Sequence, residues 1–306
     1  MSPVDQEVAA GVSLDKRFED LGVPQSELFS SPRRIFGMIS GMPGTGKTSL
    51  VLSCDGSFVI NVDRSSPPIP NPNVLQRIWP GVNAEGQTIG LGGKPFVMKW
   101  EDMEGIIRTL KNKATSGAPR PDMVVFDTLT GLVDLGIDYL ERKNQKDWKD
   151  MDGRAAYDDL YKLIIRTAGS LRGYGYGVYL ICHIVSRIVQ LGEQQFSKII
   201  PELTITDSFW KRIFWQLDMS AVATCDWTTE TKEIPQTVTV GGQERTRIKR
   251  VTKQIRRYRL TVHDPEYIGI ARSRVDFDDV ILPGPGVGWA EFEQAYTNPS
   301  SKESDT

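Results

Sequence analysis

The sequence predicts an α/β fold: a mainly parallel sheet with helices on both faces, extended by antiparallel strands toward the C-terminus. Three observations predict it. Short apolar runs alternate with helical patterns over roughly the first 215 residues. A glycine-rich loop separates the first apolar run from the first helix. Beyond that region the pattern turns to β-branched segments around the pair Gly241-Gly242, a hairpin signal.

The elements follow in order. Residues 1–30 are polar, without periodicity, and are expected to form a flexible arm. Arg34 to Ser40 (RIFGMIS) reads as the first strand, and a helix begins at Thr48-Ser49-Leu50. Ser57 to Asp63 (SFVINVD) is the next strand. Residues 64–95, rich in Pro and Gly, read as a surface excursion. Phe96 to Trp100 reads as a strand, and Glu101 to Lys111 as a helix with acidic residues in its first turn. Met123 to Asp127 (MVVFD) is a buried-type strand, helical patterns cover about 131–143 and 154–172, and Gly177 to His183 (GVYLICH) is a further buried strand. Strand signals recur at 219–225, 236–240, 245–251, 255–263 and 268–270. The expected organisation is the arm at 1–30, one domain over 31–283, and a linker and tail over 284–306.

Composition narrows the function classes. Hydrophobic content of 39% and charged content of 25% suit an ordinary globular chain. With a formal net charge of -2, any surface for nucleic acid has to be local. Cys54, Cys182 and Cys225 lie far apart with no CxxC pair, which argues against a disulfide framework or a zinc site. No run approaches the roughly 18 apolar residues of a membrane span, so no membrane role and a cytoplasmic location are expected.

The loop Gly41-Met42-Pro43-Gly44-Thr45-Gly46-Lys47-Thr48 fits G-x-x-x-x-G-K-[ST] between a strand and a helix, the context that the pattern requires. Its glycines let backbone N–H groups converge on phosphate oxygens. Lys47 is placed to reach the β- and γ-phosphates, and the Thr48 hydroxyl to ligate Mg2+, which prefers hard oxygen donors. ATP and Mg2+ are the expected cofactors, with Gly41, Pro43, Gly44, Thr45, Gly46, Lys47, Thr48 and Ser49 around them. Asp127, ending an apolar strand, is the expected second metal-side residue. Asp63, ending the strand after the loop's helix, is the candidate to orient or deprotonate water. His183 ends another strand and is the candidate sensor of the γ-phosphate. The bland alternatives are a turn cap for Asp127, a loop residue for Asp63 and a packed imidazole for His183.

The order of these four signals, GMPGTGKTS, FVINVD, MVVFDTLTGL and VYLICH, resembles the RecA-like P-loop ATPase core. The resemblance spans about residues 33–283, and is closest to the short phage RecA-like proteins of single-strand annealing recombination. It implies an ATPase that acts on single-stranded DNA in recombination, annealing or replication. It also implies assembly as a ring or filament of like subunits, possible contacts with single-strand-binding or replication proteins, and a host-cytoplasmic location if the source is viral. In that family the strand held by FVINVD ends in Glu; here Asp63 takes the place. The loop after the sensor strand, which contacts DNA in the family, maps to Ile184–Pro201 with Arg187 and Lys198.

One segment stands out by charge. Arg245, Arg247, Lys249, Arg250, Lys253, Arg256, Arg257 and Arg259 lie in a stretch without an acid. Read as strands, it aligns alternate cations into a ridge for a phosphate backbone, with Tyr258 available to stack on a base. A solvated edge strand and a subunit interface are the alternatives. Lys211, Arg212 and the basic segment are candidates for a cation donated to a neighbour's site. Phe209, Trp210, Phe214 and Trp215 read as core packing. A helicase, helicase loader or packaging motor, and a small-molecule P-loop kinase, are the competing functions.

Overall fold

A computed structural model describes residues 31–62, 74–76, 81–82, 88–89, 99–191, 194–202, 207–240, 243–263, 271–275, 277–284 and 288–298. The expected flexible arm, Asp63, most of the 64–95 excursion and the signal at 268–270 lie outside these residues.

A ten-stranded sheet runs through the chain. Its centre holds β1 (Phe36–Gly41), β2 (Ser57–Asn61), β6 (Met123–Asp127) and β7 (Gly177–Leu191). Three short strands, β3 (Val74–Gln76), β4 (Gly81–Val82) and β5 (Thr88–Ile89), fall between β2 and β6. The remaining strands are β8 (Gln194–Pro201), β9 (Met219–Val240), β10 (Gln243–Thr261), β11 (Arg272–Ser273) and β12 (Val280–Leu282). The order is β12-β10-β9-β1-β7-β6-β2-β3, with β8 paired to β7 and β11 to β9. From β9 through β3 neighbours in this order are parallel; β10, β11 and β12 add antiparallel pairs. After β1 the chain crosses to β2, steps back through β6 and β7, then passes over β1 to β9. Strand order thus reverses at β1, the kind of switch point where open α/β sheets bind ligands at the carboxyl ends of their strands.

Alternation along each central strand sorts the core into two layers. Phe36, Met38, Val124, Phe126, Val178 and Leu180 face one cluster. There they meet α2 (Trp100–Ser116), α3 (Leu129–Asn144), α4 (Gly153–Gly173) and α5 (Asp207–Phe214). Ile35, Ile39, Val125, Tyr179 and Ile181 face the other, against α1 (Lys47–Leu52) and α6 (Trp289–Thr297). The helix limits follow from local chemistry. The Thr128 hydroxyl accepts from Gly131 N and starts α3, and the Asp152 carboxylate accepts from Arg154 N and starts α4. Gly117, at φ 69, ends α2.

Four expectations change. Trp100 opens α2 with Lys99 as its N-cap rather than closing a strand; residues 96–98 lie outside the described set. Ile184–Pro201 is not a loop: β7 continues to Leu191 and returns as β8, with Ile184 opposite Pro201 and Leu191 opposite Gln194. The strands expected at 219–225 and 236–240 are one strand, β9, paired with β10 from Val222↔Thr261 to Val240↔Gln243. Within the expected linker and tail lies α6, whose Trp289, Phe292 and Tyr296 are buried. Its amide Trp289 N donates to Ser53 Oγ at 3.1 Å, and Glu293 accepts from Arg33 Nε and Nη2 at 2.8 and 2.7 Å.

Candidate active site

The carboxyl ends of β1 and β6 carry the phosphate loop and Asp127, with β7 between them. Gly41 is paired with His183 across β1 and β7, and Asp127 with Ile181 across β6 and β7. Asn61 is paired with Asp127 across β2 and β6, and Val62 N donates to Asp127 O at 2.6 Å. Three of the four sequence signals therefore meet at one sheet edge. Asp63, the next residue after Val62, lies outside the described residues, so its part stays an expectation.

The loop's form explains its glycines. Gly44 and Gly46 have φ of 81 and 83, a region that side chains rarely adopt. A Cβ on Gly41 would lie 2.5 Å from Ala223 O on β9 and 2.6 Å from Thr45 Oγ1. Thr45 Oγ1 donates to Met42 O at 2.9 Å, bracing the turn. Pro43 is exposed on the loop, and Ser49 is half-buried in the first turn of α1. Lys47 is buried, and its ammonium donates to Gly41 O at 2.9 Å and Met42 O at 2.8 Å. Burial pushes its pKa down, opposed by the fields of Asp127, Cys182 and Glu202. Thr48 Oγ1 donates to Asp127 Oδ2 at 2.6 Å. Asp127 itself is buried.

These residues fit a nucleotide with Mg2+. The glycines hold the loop in a form a side chain would strain, the Lys47 ammonium has only carbonyls to exchange for phosphate, and Thr48 and Asp127 present a hydroxyl and a carboxylate side by side. Mg2+ is commonly held by one or two carboxylates plus phosphate oxygens and water. Among the described residues no group of three or more His, Cys, Asp or Glu gathers to hold a metal.

His183 is half-buried, and its carbonyl accepts from Glu202 N at 2.7 Å. Glu202 was not singled out from the sequence. The β7–β8 hairpin returns it to the site, where Thr130 Oγ1 donates to its carbonyl at 2.5 Å. Nothing in the local pattern around residue 202 signals this, because the return depends on pairing between β7 and β8.

The candidate DNA residues divide. Register places Arg245, Arg247, Lys249, Lys253, Arg257 and Arg259 in one phase of β10. Side chains at 187–198, and those of Arg245 and Arg247, lie outside the described residues, so Arg187 and Lys198 are placed only by backbone register, opposite one another. Lys249, Lys253 and Arg257 are exposed. β9 and the residue before β12 supply acids that reading β10 alone missed. Arg250 pairs with Glu233 at 2.8 Å, and Arg259 with Asp279 at 3.0 Å. Tyr258 is buried in the core and unavailable for stacking on a base. The exposed aromatic is Trp227, opposite Arg256, whose guanidinium lies 4.9 Å from the ring centre. Phe209, Trp210 and Phe214 are core residues as expected, whereas Trp215 is 67% exposed. Arg212 is held by Asp158 at 2.8 Å and lies over Tyr161, while Lys211 is exposed.

No helix among the described residues is long and apolar enough to cross a membrane. A comparison with curated proteins finds no match. An AAA domain family, of the P-loop ATPase type, matches residues 33–212. That span runs from the turn before β1 through the phosphate loop, Asp127 and His183 into α5, and covers more than half of the 306 residues. The chain therefore belongs to the AAA domain family.

Proposed function

We propose that this chain binds ATP with Mg2+ at Lys47, Thr48 and Asp127, hydrolyses it, and uses the cycle to control its hold on single-stranded DNA in phage-type recombination, annealing or replication. Like subunits would assemble as a ring or filament. One observation carries the reading: the phosphate loop, the β7–β8 hairpin and the β9–β10 ribbon all leave the sheet at the same edge. β7 and β9 run parallel to β1 and continue past its end at Gly41. Beyond the core the ribbon extends from Asp226 to Val240, about 50 Å at the usual rise per residue. By register, one of its faces carries Lys232, Arg245, Arg247, Lys249, Lys253 and Arg257 against Asp226 and Glu230. The other face is near neutral and carries Trp227, Pro235 and Ile248, with Arg250 paired to Glu233.

A cationic strip of this length suits the phosphate backbone of a polyanion, while Trp227 lies on the opposite face of the ribbon. The test is ATPase rate and filter binding with and without single-stranded DNA. ATP should change the DNA affinity, and Lys253→Ser with Arg257→Ser should lower the salt slope by about 0.7 for each phosphate left without its cation. No ATP-modulated affinity at low salt would remove the DNA part of the reading and leave the nucleotide part standing.

A further inference from the structure

We propose that Glu202 is the carboxylate that activates the attacking water in this site. The inference rests on the ATPase reading above and names a residue that the sequence motifs did not supply.

The geometry begins with the β7–β8 hairpin. His183 lies level with Gly41, where the phosphate loop starts. Beyond it, β7 folds back as β8, and Ile184 faces Pro201 in register. The next residue, Glu202, is fixed on two sides. Its N–H donates to His183 O at 2.7 Å, and its carbonyl accepts from Thr130 Oγ1 at 2.5 Å. Thr130 belongs to the first turn of α3, three residues after Asp127. Glu202 is therefore tied to both strands that frame the site: to β7 through His183 and to β6 through the start of α3. Its charge acts on Lys47 and on Cys182, so the carboxylate lies within electrostatic reach of the ammonium that meets the phosphates. The residue is exposed to solvent.

A carboxylate so placed suits the chemistry. Water donates a proton to Glu202 as its oxygen bonds to the γ-phosphorus. The bond from that phosphorus to the bridging oxygen breaks, and its electron pair leaves with ADP. The proton then passes from Glu202 to the released phosphate or to solvent. Asp127 is committed to Thr48 at 2.6 Å and is poorly placed to serve as this base as well. A position after the hairpin also gives DNA a route to catalysis. Anything that grips residues 184–201 would shift Glu202 relative to the phosphate loop.

The test compares wild type, Glu202→Gln, Glu202→Asp and Asp63→Asn in the full chain. Affinity is read with a fluorescent ATP analogue and with ADP plus aluminium fluoride, a mimic of the transferring phosphoryl group; hydrolysis is read in single turnover. The expected result for Glu202→Gln is ATP and ADP affinity within about threefold of wild type and hydrolysis slower by about 10²–10⁴, the usual range for a lost general base. The extra affinity conferred by aluminium fluoride should fall at least about tenfold, since it depends on the groups that align water. Glu202→Asp should restore part of both. Wild-type hydrolysis in Glu202→Gln overturns the proposal, as does a loss of ATP affinity beyond tenfold, which would make the residue a binding group. A collapse in Asp63→Asn with Glu202→Gln unaffected assigns the role to Asp63. A wild-type protein that fails to bind ATP sinks the underlying ATPase reading instead, and is distinguished by that binding measurement.

Discussion

Replacing Lys47 by Met separates what the residue does for the fold from what it does for nucleotide. The Met side chain has nearly the same length and no charge. In the free protein Lys47 is 5% exposed and its ammonium holds two carbonyls, Gly41 O and Met42 O. Desolvating an ion costs several kcal/mol. Leaving two carbonyls without a partner costs about 1–3 kcal/mol each. The two effects oppose one another, so Lys47→Met should change the stability of the free protein by less than about 2 kcal/mol. Nucleotide changes the balance. At a hundredfold excess over Kd, Mg-ATP should stabilise the wild type by about 2.7 kcal/mol. For a domain of this size that is a rise of roughly 5 °C in Tm. Two charge-assisted bonds to phosphate at about 1.5–3 kcal/mol each correspond to a 10²–10⁴-fold loss of affinity in the variant. At the same ATP concentration its shift should then fall below about 1 °C. Thermal melts of both proteins, with and without Mg-ATP, decide the matter. A variant that retains the full wild-type shift would refute the assignment of Lys47 to phosphate. A free variant destabilised by much more than 2 kcal/mol would refute the argument that the buried ammonium is near-neutral for the fold.

Other outcomes follow from individual side chains. Asp127→Asn should remove the Mg2+-dependent part of ATP affinity and leave the metal-free part, read by titration with and without chelator, because Thr48 and Asp127 are the paired oxygen donors. Of the three thiols, half-buried Cys225 should react first with a thiol reagent at pH 8. Cys182, buried and pushed up to about 12 by desolvation, and Cys54, also raised by burial, should react only on unfolding. Tyr296 on α6 is pushed up to about 12 by burial. Between the ordinary tyrosine value of 10.0 and about 12 the folded chain holds the proton that the unfolded chain has lost, so stability should fall as pH rises through that window, seen as a declining urea midpoint. Asp218 is buried, accepts from Phe36 N at 2.9 Å and pairs with Arg172 at 2.9 Å. Asp218→Ala should cost about 2–4 kcal/mol of unfolding free energy, since it strands a buried amide and breaks a bond to a charged group. A loss under 1 kcal/mol would show that water replaces the carboxylate.

The core of the fold was legible because burial leaves a period. The short, mostly apolar runs before the phosphate loop, before Asp63, before Asp127 and before His183 become β1, β2, β6 and the first half of β7. What lay outside that signal was missed. The middle of β9, Thr228-Thr229-Glu230-Thr231-Lys232-Glu233, has both faces in water, so no apolar alternation marks it as strand. The β7–β8 hairpin reads as a loop because strand pairing is not a local property of the sequence, and the return of Glu202 is missed with it. α6 follows a Pro- and Gly-rich stretch that reads as a linker, yet it lies against the phosphate-loop helix through Trp289 and Ser53. Tyr258 was misplaced because its neighbours are all cations. It stands at the point where β10 enters the sheet beside β12, and packing there outweighs local charge.

The ribbon's length has a consequence for self-association. β9 pairs with β1 only as far as Val222, and β10 meets β12 only from Tyr258. Further out, each described strand has its partner on one side and an open edge on the other. Such edges are templates for strand addition. Here the cations along one face oppose it, because two like ribbons laid side by side repel. That repulsion reaches about 10 Å at 0.1 M salt and about 3 Å at 1 M. A polyanion lying along the ribbon would cancel it at low salt, where such binding is strongest. The protein is thus expected to stay dispersed at low salt and to join edge to edge when its charge is masked, so that the bound strand itself would nucleate the oligomer.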